Sequence, residues 1–279
     1  MSDLPVRIAV TGATGALGGL VAERLADLSP VLIVRDPSRA PALAAAEVRE
    51  AEYADYESVL AALDGVDVLF LVSATESQRR REDHRRVVMA AAERGVRHVV
   101  YTSFAGAGGE ATFSLVRDHA HTEAAIRASG IDFTFLRDNF YLEVLPHFAV
   151  DGVIRGPAGD GRFAPVSRSD VADVAAAVLR QPAAHAGTSY TLTGPEALTL
   201  TEAATRLSAV LGRDLRFENE TEESARDWRR EKYDAEDWQL DAWVSTYTAI
   251  RDGTLAEVTD DVARVSGHPA RTLEQALTE

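Results

Sequence analysis

Cysteine is absent, which excludes disulfides, thiolate metal ligands, iron–sulfur clusters and a cysteine nucleophile. Lysine is nearly absent: of 29 basic residues only Lys232 is lysine, so no mechanism that needs an early catalytic lysine is open. No apolar run approaches the ~20 residues of a transmembrane helix. Residues 1–5 carry no basic, apolar leader pattern. The expectation is a cytoplasmic protein that makes no membrane contact. Basic charge is scarce overall, with 29 Lys and Arg against 44 Asp and Glu and a net charge of −15. Such a chain repels phosphate backbones, so nucleic acid is not an expected partner.

The remaining composition is that of a folded protein. Apolar residues make up 46% and charged residues 26%, which excludes disorder as the main state. A length of 279 residues allows one large domain or two small ones. The first half alternates strand and helix signals. Residues 6–11 read as a buried strand, followed by a glycine-rich turn and a helix through Leu17, Leu20, Val21, Leu25 and Leu28. Strands are predicted at 31–34, 66–72, 97–103 and 131–136, with a weak one near Val48. Helices are predicted at 55–63, 77–94 and 112–129, the last two ended by Gly95 and Gly130. Near-continuous apolar strands separated by helices predict an α/β fold, a doubly wound parallel sheet of the Rossmann type. Glycine and proline cluster at 152–165, after which the helix at 169–179 and strand at 189–192 return to the sheet. All three tryptophans, Trp228, Trp238 and Trp243, lie beyond that strand. The predicted division is a dinucleotide-binding domain at 1–150, joined by 166–193, and a smaller substrate lobe at 194–279 to which 151–165 contribute.

The turn after the first strand carries the most information. Its glycines are spaced G-x-x-G-x-x-G, and it follows a strand and opens a helix. Gly12 permits the tight turn, Gly15 lets backbone approach a diphosphate, and Gly18 allows close packing of helix on sheet. The helix start supplies unpaired N–H groups. Gly12, Thr14, Gly15, Ala16, Leu17 and Gly18 are therefore cofactor-binding candidates. At the end of the second strand, Arg35 and Arg39 could hold a 2′-phosphate, as in NADP. Asp36 between them could instead accept from a free 2′-hydroxyl, as in NAD. Asp55 starts the next helix and serves as its N-cap, or reaches the adenine.

The stretches 11–18, 35–39, 101–103, 119–123 and 136–141, with 159–162 and 193–195, together resemble the NmrA-like atypical short-chain dehydrogenase/reductases. Within them they are most similar to the bacterial NAD(P)H:quinone oxidoreductases. The resemblance implies NADPH bound to a Rossmann domain, and a C-terminal lobe closing a substrate cleft. It places Arg35 at the 2′-phosphate, Asp55 at the adenine edge, Ser73 and Thr75 along the ribose–nicotinamide stretch, and Asn139 and Tyr141 beside the nicotinamide. Asp36 departs from the pattern, where an uncharged residue is more usual.

The chemistry left open is narrow. Typical short-chain dehydrogenases pair tyrosine with a lysine four residues later. Here Tyr101 is followed at that spacing by Ala105, Tyr141 by Leu145 and Tyr233 by Asp237, and no other tyrosine has a lysine there. Hydride transfer to a quinone or similar small conjugated acceptor needs less machinery, because the anion formed is delocalised. Ser73, Ser103 and Asn139 stand at carboxyl ends of predicted strands, where open α/β sheets bind ligands. His119 is either a proton donor to the acceptor or a helix-surface residue paired with Glu123 four positions on. Tyr141 is either site or core. Neither composition nor spacing supplies a metal site. The five arginines at 79–86 read as a solvated helix start with ion pairs. The alternative to an enzyme is a non-catalytic NAD(P)-binding redox sensor acting through a protein partner. Oligomeric state is not legible.

Overall fold

The computed structural model describes residues 6–278; the leader reading of residues 1–5 lies outside them. Seven strands form the central sheet. β1 (Ile8–Thr11), β2 (Val31–Val34) and β4 (Val68–Leu71) are buried throughout and apolar except for Thr11. Strands of this kind are covered on both faces. β3 (Glu47–Glu50) is largely exposed and charged, which suits an edge because charge there discourages pairing with another chain. β5 (His98–Phe104) and β6 (Asp132–Asp138) complete the first half. Further on come β7 (Ala149–Val150), β8 (Val153–Gly156), β9 (Arg162–Phe163), β10 (Thr188–Leu192), β11 (Leu198–Thr199) and β12 (Arg216–Asn219). The sheet order is β10-β6-β5-β4-β1-β2-β3, and β3–β2, β2–β1, β1–β4 and β4–β5 pair in parallel. The order reverses between β1 and β4, which is where a doubly wound sheet opens a crevice at its carboxyl edge.

The helices are α1 (Ala16–Arg24), α2 (Tyr56–Ala62), α3 (Arg80–Glu93), α4 (Val116–Ser129) and α5 (Arg168–Arg180), then α6 (Leu200–Leu211), α7 (Glu222–Lys232), α8 (Asp237–Arg251), α9 (Asp261–Ser266) and α10 (Leu273–Thr278). Gly95 and Gly130 end α3 and α4 at φ of +73° and +76°, a conformation that favours glycine. Among the described residues no helix is long and apolar enough to cross a membrane.

The chain forms two compact units. The first runs to Ser103 and adds Asp118–Arg137 and Val171–Tyr190; the second takes Phe104–Arg117, Asp138–Asp170 and everything from Thr191 onward. The second unit therefore begins at the ends of β5 and β6, earlier than the expected boundary near residue 150. The segments that follow those strands carry Phe104, Phe113, Phe140 and Phe148. These rings meet at centroid distances of 5.1–6.0 Å and help build the second unit's own core. Within this unit β11 pairs antiparallel with β9, and β8 lies between β12 and β7. The helices of its charged stretch differ in burial. α7 is mostly exposed, whereas α8 buries Leu240, Val244, Tyr247 and Ile250.

Candidate functional site

A cleft of about 430 Å³ opens at the switch point in the first unit. Its walls come from the carboxyl ends of four strands. Gly12, Thr14 and Gly15 follow β1, Arg35 follows β2, Glu52 and Tyr53 follow β3, and Ser73 and Thr75 follow β4.

The glycines make a cradle. Gly12 turns the chain at φ +61°, where a side chain would be strained. Its carbonyl accepts from the Gly15 N–H at 2.8 Å. Gly18 is fixed by contact: a Cβ there would lie 2.3 Å from the Gly12 oxygen and 2.9 Å from the Thr11 oxygen, both rigid backbone. Only glycine lets α1 start so close to β1. The start of α1 has no side-chain cap and no acid in its first turn. The first-turn N–H groups, those of Ala16, Leu17 and Gly18, thus have no intrahelical acceptor, and they sit at the positive end of the helix dipole. Other helices differ: Asp55, Thr199 and Thr221 accept from first-turn N–H groups of α2, α6 and α7. An uncapped helix start at a sheet crevice is suited to an anionic diphosphate.

The loop after β2 resolves the position of Asp36. Its carboxylate accepts from Ser38 N at 3.0 Å and Ser38 Oγ at 2.6 Å, capping the short turn Pro37–Arg39. Those bonds from Ser38 hold the carboxyl below its ordinary range. One oxygen, Oδ1, of the acid that could accept from a ribose hydroxyl is taken up by its own turn, and Asp36 does not line the cleft. Arg35 is exposed on the cleft wall and makes no hydrogen bond or ion pair among the described residues. Arg39 stands on the exposed turn and does not line the cleft, so only one of the two expected guanidiniums faces it. Asp55 likewise is absent from the lining. It accepts from Glu57 N at 3.1 Å and Ser58 N at 3.3 Å as the cap of α2. Asp55→Ala should therefore lower unfolding stability by about 1 kcal/mol, the usual worth of such a cap, while an NADPH titration stays as in wild type. A loss of nucleotide affinity would return Asp55 to the adenine.

Behind the cleft lies a buried polar layer that sequence reasoning did not find. Tyr53 Oη sits 2.6 Å from Thr11 Oγ1 and 2.8 Å from Val72 O, fixing the ends of β1 and β4 to the loop after β3. His84 is fully buried on α3; its Nε2 accepts from Ala74 N at 2.8 Å and its Nδ1 meets Thr122 Oγ1 at 2.8 Å. Burial, with the Arg80 cation beside it, pushes the His84 pKa down to about 3, so it is neutral. The arginine-rich start of α3 is accordingly only half solvated. Arg86 pairs with Glu82 and Asp83 as expected, but Arg80 and His84 point inward.

His119 requires a correction on both readings. It is not on the surface and Glu123 is not its partner. Its Nδ1 lies 3.0 Å from Tyr101 Oη and its Nε2 3.1 Å from an Arg80 nitrogen. Burial and the Arg80 charge hold it well below the usual histidine range. A neutral imidazole that is buried, engaged at both nitrogens and absent from the cleft lining is not placed to protonate an acceptor there. Glu123 instead accepts from Ser103 Oγ at 2.7 Å and from Arg137 at 2.7 and 2.9 Å, with Arg127 at 3.0 Å. Burial alone would raise its carboxyl, yet these donors keep it below the ordinary range. Ser103, buried in that cluster, does not line the cleft.

In the second unit, Asn139 has its amide engaged: Nδ2 donates to Leu255 O at 3.0 Å, and Oδ1 accepts from Phe140 N at 2.8 Å. Such a side chain positions backbone. Tyr141 is half-buried, donates to Asp138 Oδ2 at 2.6 Å, and carries the Arg168 guanidinium over its ring at 5.0 Å. A separate cavity of about 430 Å³ in this unit is walled by Phe148, Trp228, Tyr233, Trp243 and Tyr247, with His147, Arg155 and Arg229. Trp243 of α8 forms part of that wall.

A doubly wound sheet, a glycine cradle at its switch point and an uncapped helix start define a dinucleotide-binding protein of the Rossmann type. Residues 12–182 match the family described as NAD(P)H-binding, and the chain belongs to it. It is 35% identical to quinone oxidoreductase 2 of Escherichia coli, over 97% of each chain. It is 38% identical to a (4-alkanoyl-5-oxo-2,5-dihydrofuran-3-yl)methyl phosphate reductase of Streptomyces griseus, over 95% of this chain and 94% of that one. A crystal structure of the NADPH-dependent quinone oxidoreductase of Escherichia coli in complex with NADPH superposes with a TM-score of 0.87 at 34% identity, over 97% of this chain and 98% of that one.

Proposed function

We propose that this NAD(P)H-dependent reductase uses NADPH to reduce a quinone or a similarly small conjugated acceptor. The observation that carries the cofactor reading is the uncapped start of α1 at the cleft, with Arg35, which has no side-chain partner among the described residues, lining the same cleft. The first-turn N–H groups would hold the diphosphate, Arg35 the 2′-phosphate, and Ser73 and Thr75 the wall beyond. NADPH, when bound, supplies the hydride. The chain contributes orientation, which is the larger share of what such a transfer requires.

The acceptor class rests on what the chain lacks and what its relatives are named for. Without a tyrosine–lysine pair, the base for alcohol oxidation is missing. A quinone, or a ring double bond conjugated to carbonyls like the one in the compound for which the Streptomyces relative is named, delocalises the incoming charge. The test is NADPH oxidation against a set of soluble benzoquinones and naphthoquinones. Steady turnover with at least one is expected. Saturable NADPH binding with no turnover across the set would favour the sensor reading, in which a partner protein is bound differently with oxidised and reduced nucleotide.

A further inference from the structure

We propose that His84 is a positioning residue for the nucleotide: as a fixed hydrogen-bond acceptor it holds the loop after β4 in the shape that receives the nicotinamide half of NADPH. This rests on the cofactor reading above and gives a role to a buried side chain which that reading leaves unused.

Residues 72–75 line the nucleotide cleft just past the end of β4. The sheet ladder has ended there, and the main-chain N–H groups need other acceptors. Three successive ones are taken by side chains of three elements. Val72 N donates to Thr11 Oγ1 of β1 at 2.9 Å, Ser73 N to Thr102 Oγ1 of β5 at 2.8 Å, and Ala74 N to His84 Nε2 of α3 at 2.8 Å. All three acceptors are buried. The two threonines lie on the strands that flank β4, whereas His84 comes from a helix and holds the residue furthest along the loop. In the sheet β4 is next to β1, and β1 next to β2. With the 2′-phosphate at Arg35 after β2 and the diphosphate at the turn after β1, the nicotinamide half is what remains for the wall after β4.

A ring nitrogen accepts only when it carries no hydrogen. Thr122 decides which one is bare. Its hydroxyl donates to Asp118 O at 3.0 Å and so meets His84 Nδ1, at 2.8 Å, as an acceptor. The ring hydrogen is therefore on Nδ1, and Nε2 is open to Ala74. The bonds run in one direction, from the cleft wall through His84 and Thr122 to the backbone of α4. Tyr53 and Tyr101 stand edge-on to the ring at centroid distances of 6.1 and 5.8 Å. Arg80 of α3 and His119 of α4 are the other titratable groups facing it, and no carboxylate contacts it among the described residues. Burial and the neighbouring cation keep the ring neutral, so Nε2 stays an acceptor.

Two substitutions separate the two bonds of the ring. In His84→Gln the longer side chain brings its carbonyl oxygen to the place of Nε2; it keeps an acceptor for Ala74 and gives up the bond to Thr122. In His84→Asn the shorter amide keeps the bond to Thr122 and leaves the Ala74 N–H without an acceptor. Both lose packing, and both should melt below wild type. Only His84→Asn should bind NADPH weakly, by about 10-fold, the loss expected when a tenth of the chains hold the binding shape. The second probe is adenosine 2′,5′-bisphosphate, which lacks the nicotinamide half; its Kd should be the same in all three proteins. The third readout is nitrogen NMR of the wild-type imidazole. Nδ1 should be protonated and Nε2 bare, with no imidazolium at about pH 5, where an ordinary histidine is mostly charged. NADPH binding by His84→Asn equal to that by His84→Gln, an equal loss for the bisphosphate, or an Nε2–H tautomer in the wild type overturns the proposal while the cofactor reading stands. A wild type that binds no NADPH overturns both.

Discussion

Gly18→Ala should abolish measurable NADPH binding and lower the melting temperature of the chain. The added Cβ would stand 2.3 Å from the Gly12 oxygen and 2.6 Å from the Gly12 carbonyl carbon. Neither atom can swing aside as a side chain would. Relief requires α1 to back away from β1, which displaces the first-turn N–H groups from the cleft. Forcing extra carbon into a packed site costs about 1–3 kcal/mol. Gly159→Ala is a suitable control. Gly159 has open space around it but a φ of +53°, so strain alone is added there. Thermal melts and nucleotide titrations on both variants separate contact from strain. If Gly18→Ala binds NADPH as wild type does, the close approach of α1 to the turn is not what builds the site.

Arg35→Ala should divide the two pyridine nucleotides. Arg35 stands on the cleft wall with no side-chain partner among the described residues, and Asp36, the acid that would favour a free 2′-hydroxyl, bonds Ser38 through Oδ1. Removing a charged hydrogen bond costs about 1.5–3 kcal/mol, or roughly 10–150-fold in the Kd for NADPH. NADH has no 2′-phosphate, so its Kd should stay within about twofold, the effect of a surface substitution away from contacts. Because the pairing is electrostatic, the NADPH preference of the wild type should also shrink as salt is raised. Equal losses for both nucleotides would remove Arg35 from the 2′-phosphate.

The strand–turn–helix at 8–24 is legible because its signals are local: a buried apolar run, glycines at fixed spacing, then helical periodicity. The cap at Asp36 is also written locally, in the succession Asp36-Pro37-Ser38, but competes with a ribose-binding reading of the same acid. His119 shows where local rules stop. Spacing of four pairs it with Glu123 on an isolated helix, yet burial against β5 gives each a different partner, Tyr101 and Ser103. Tyr53 and His84 carry no signal at all. Their importance comes from burial, which depends on which elements meet. The second unit's early start is of the same kind, since Phe140 lies about thirty residues beyond Phe104 and Phe113 in the chain and meets them only in the folded core.

Calorimetric titration of the wild-type chain with NADPH and with NADH at equal ionic strength tests nucleotide recognition most directly. The cradle at the end of β1, together with Arg35, predicts saturable binding of one NADPH per chain and a weaker NADH isotherm. Absence of heat and of saturation with both nucleotides would contradict it.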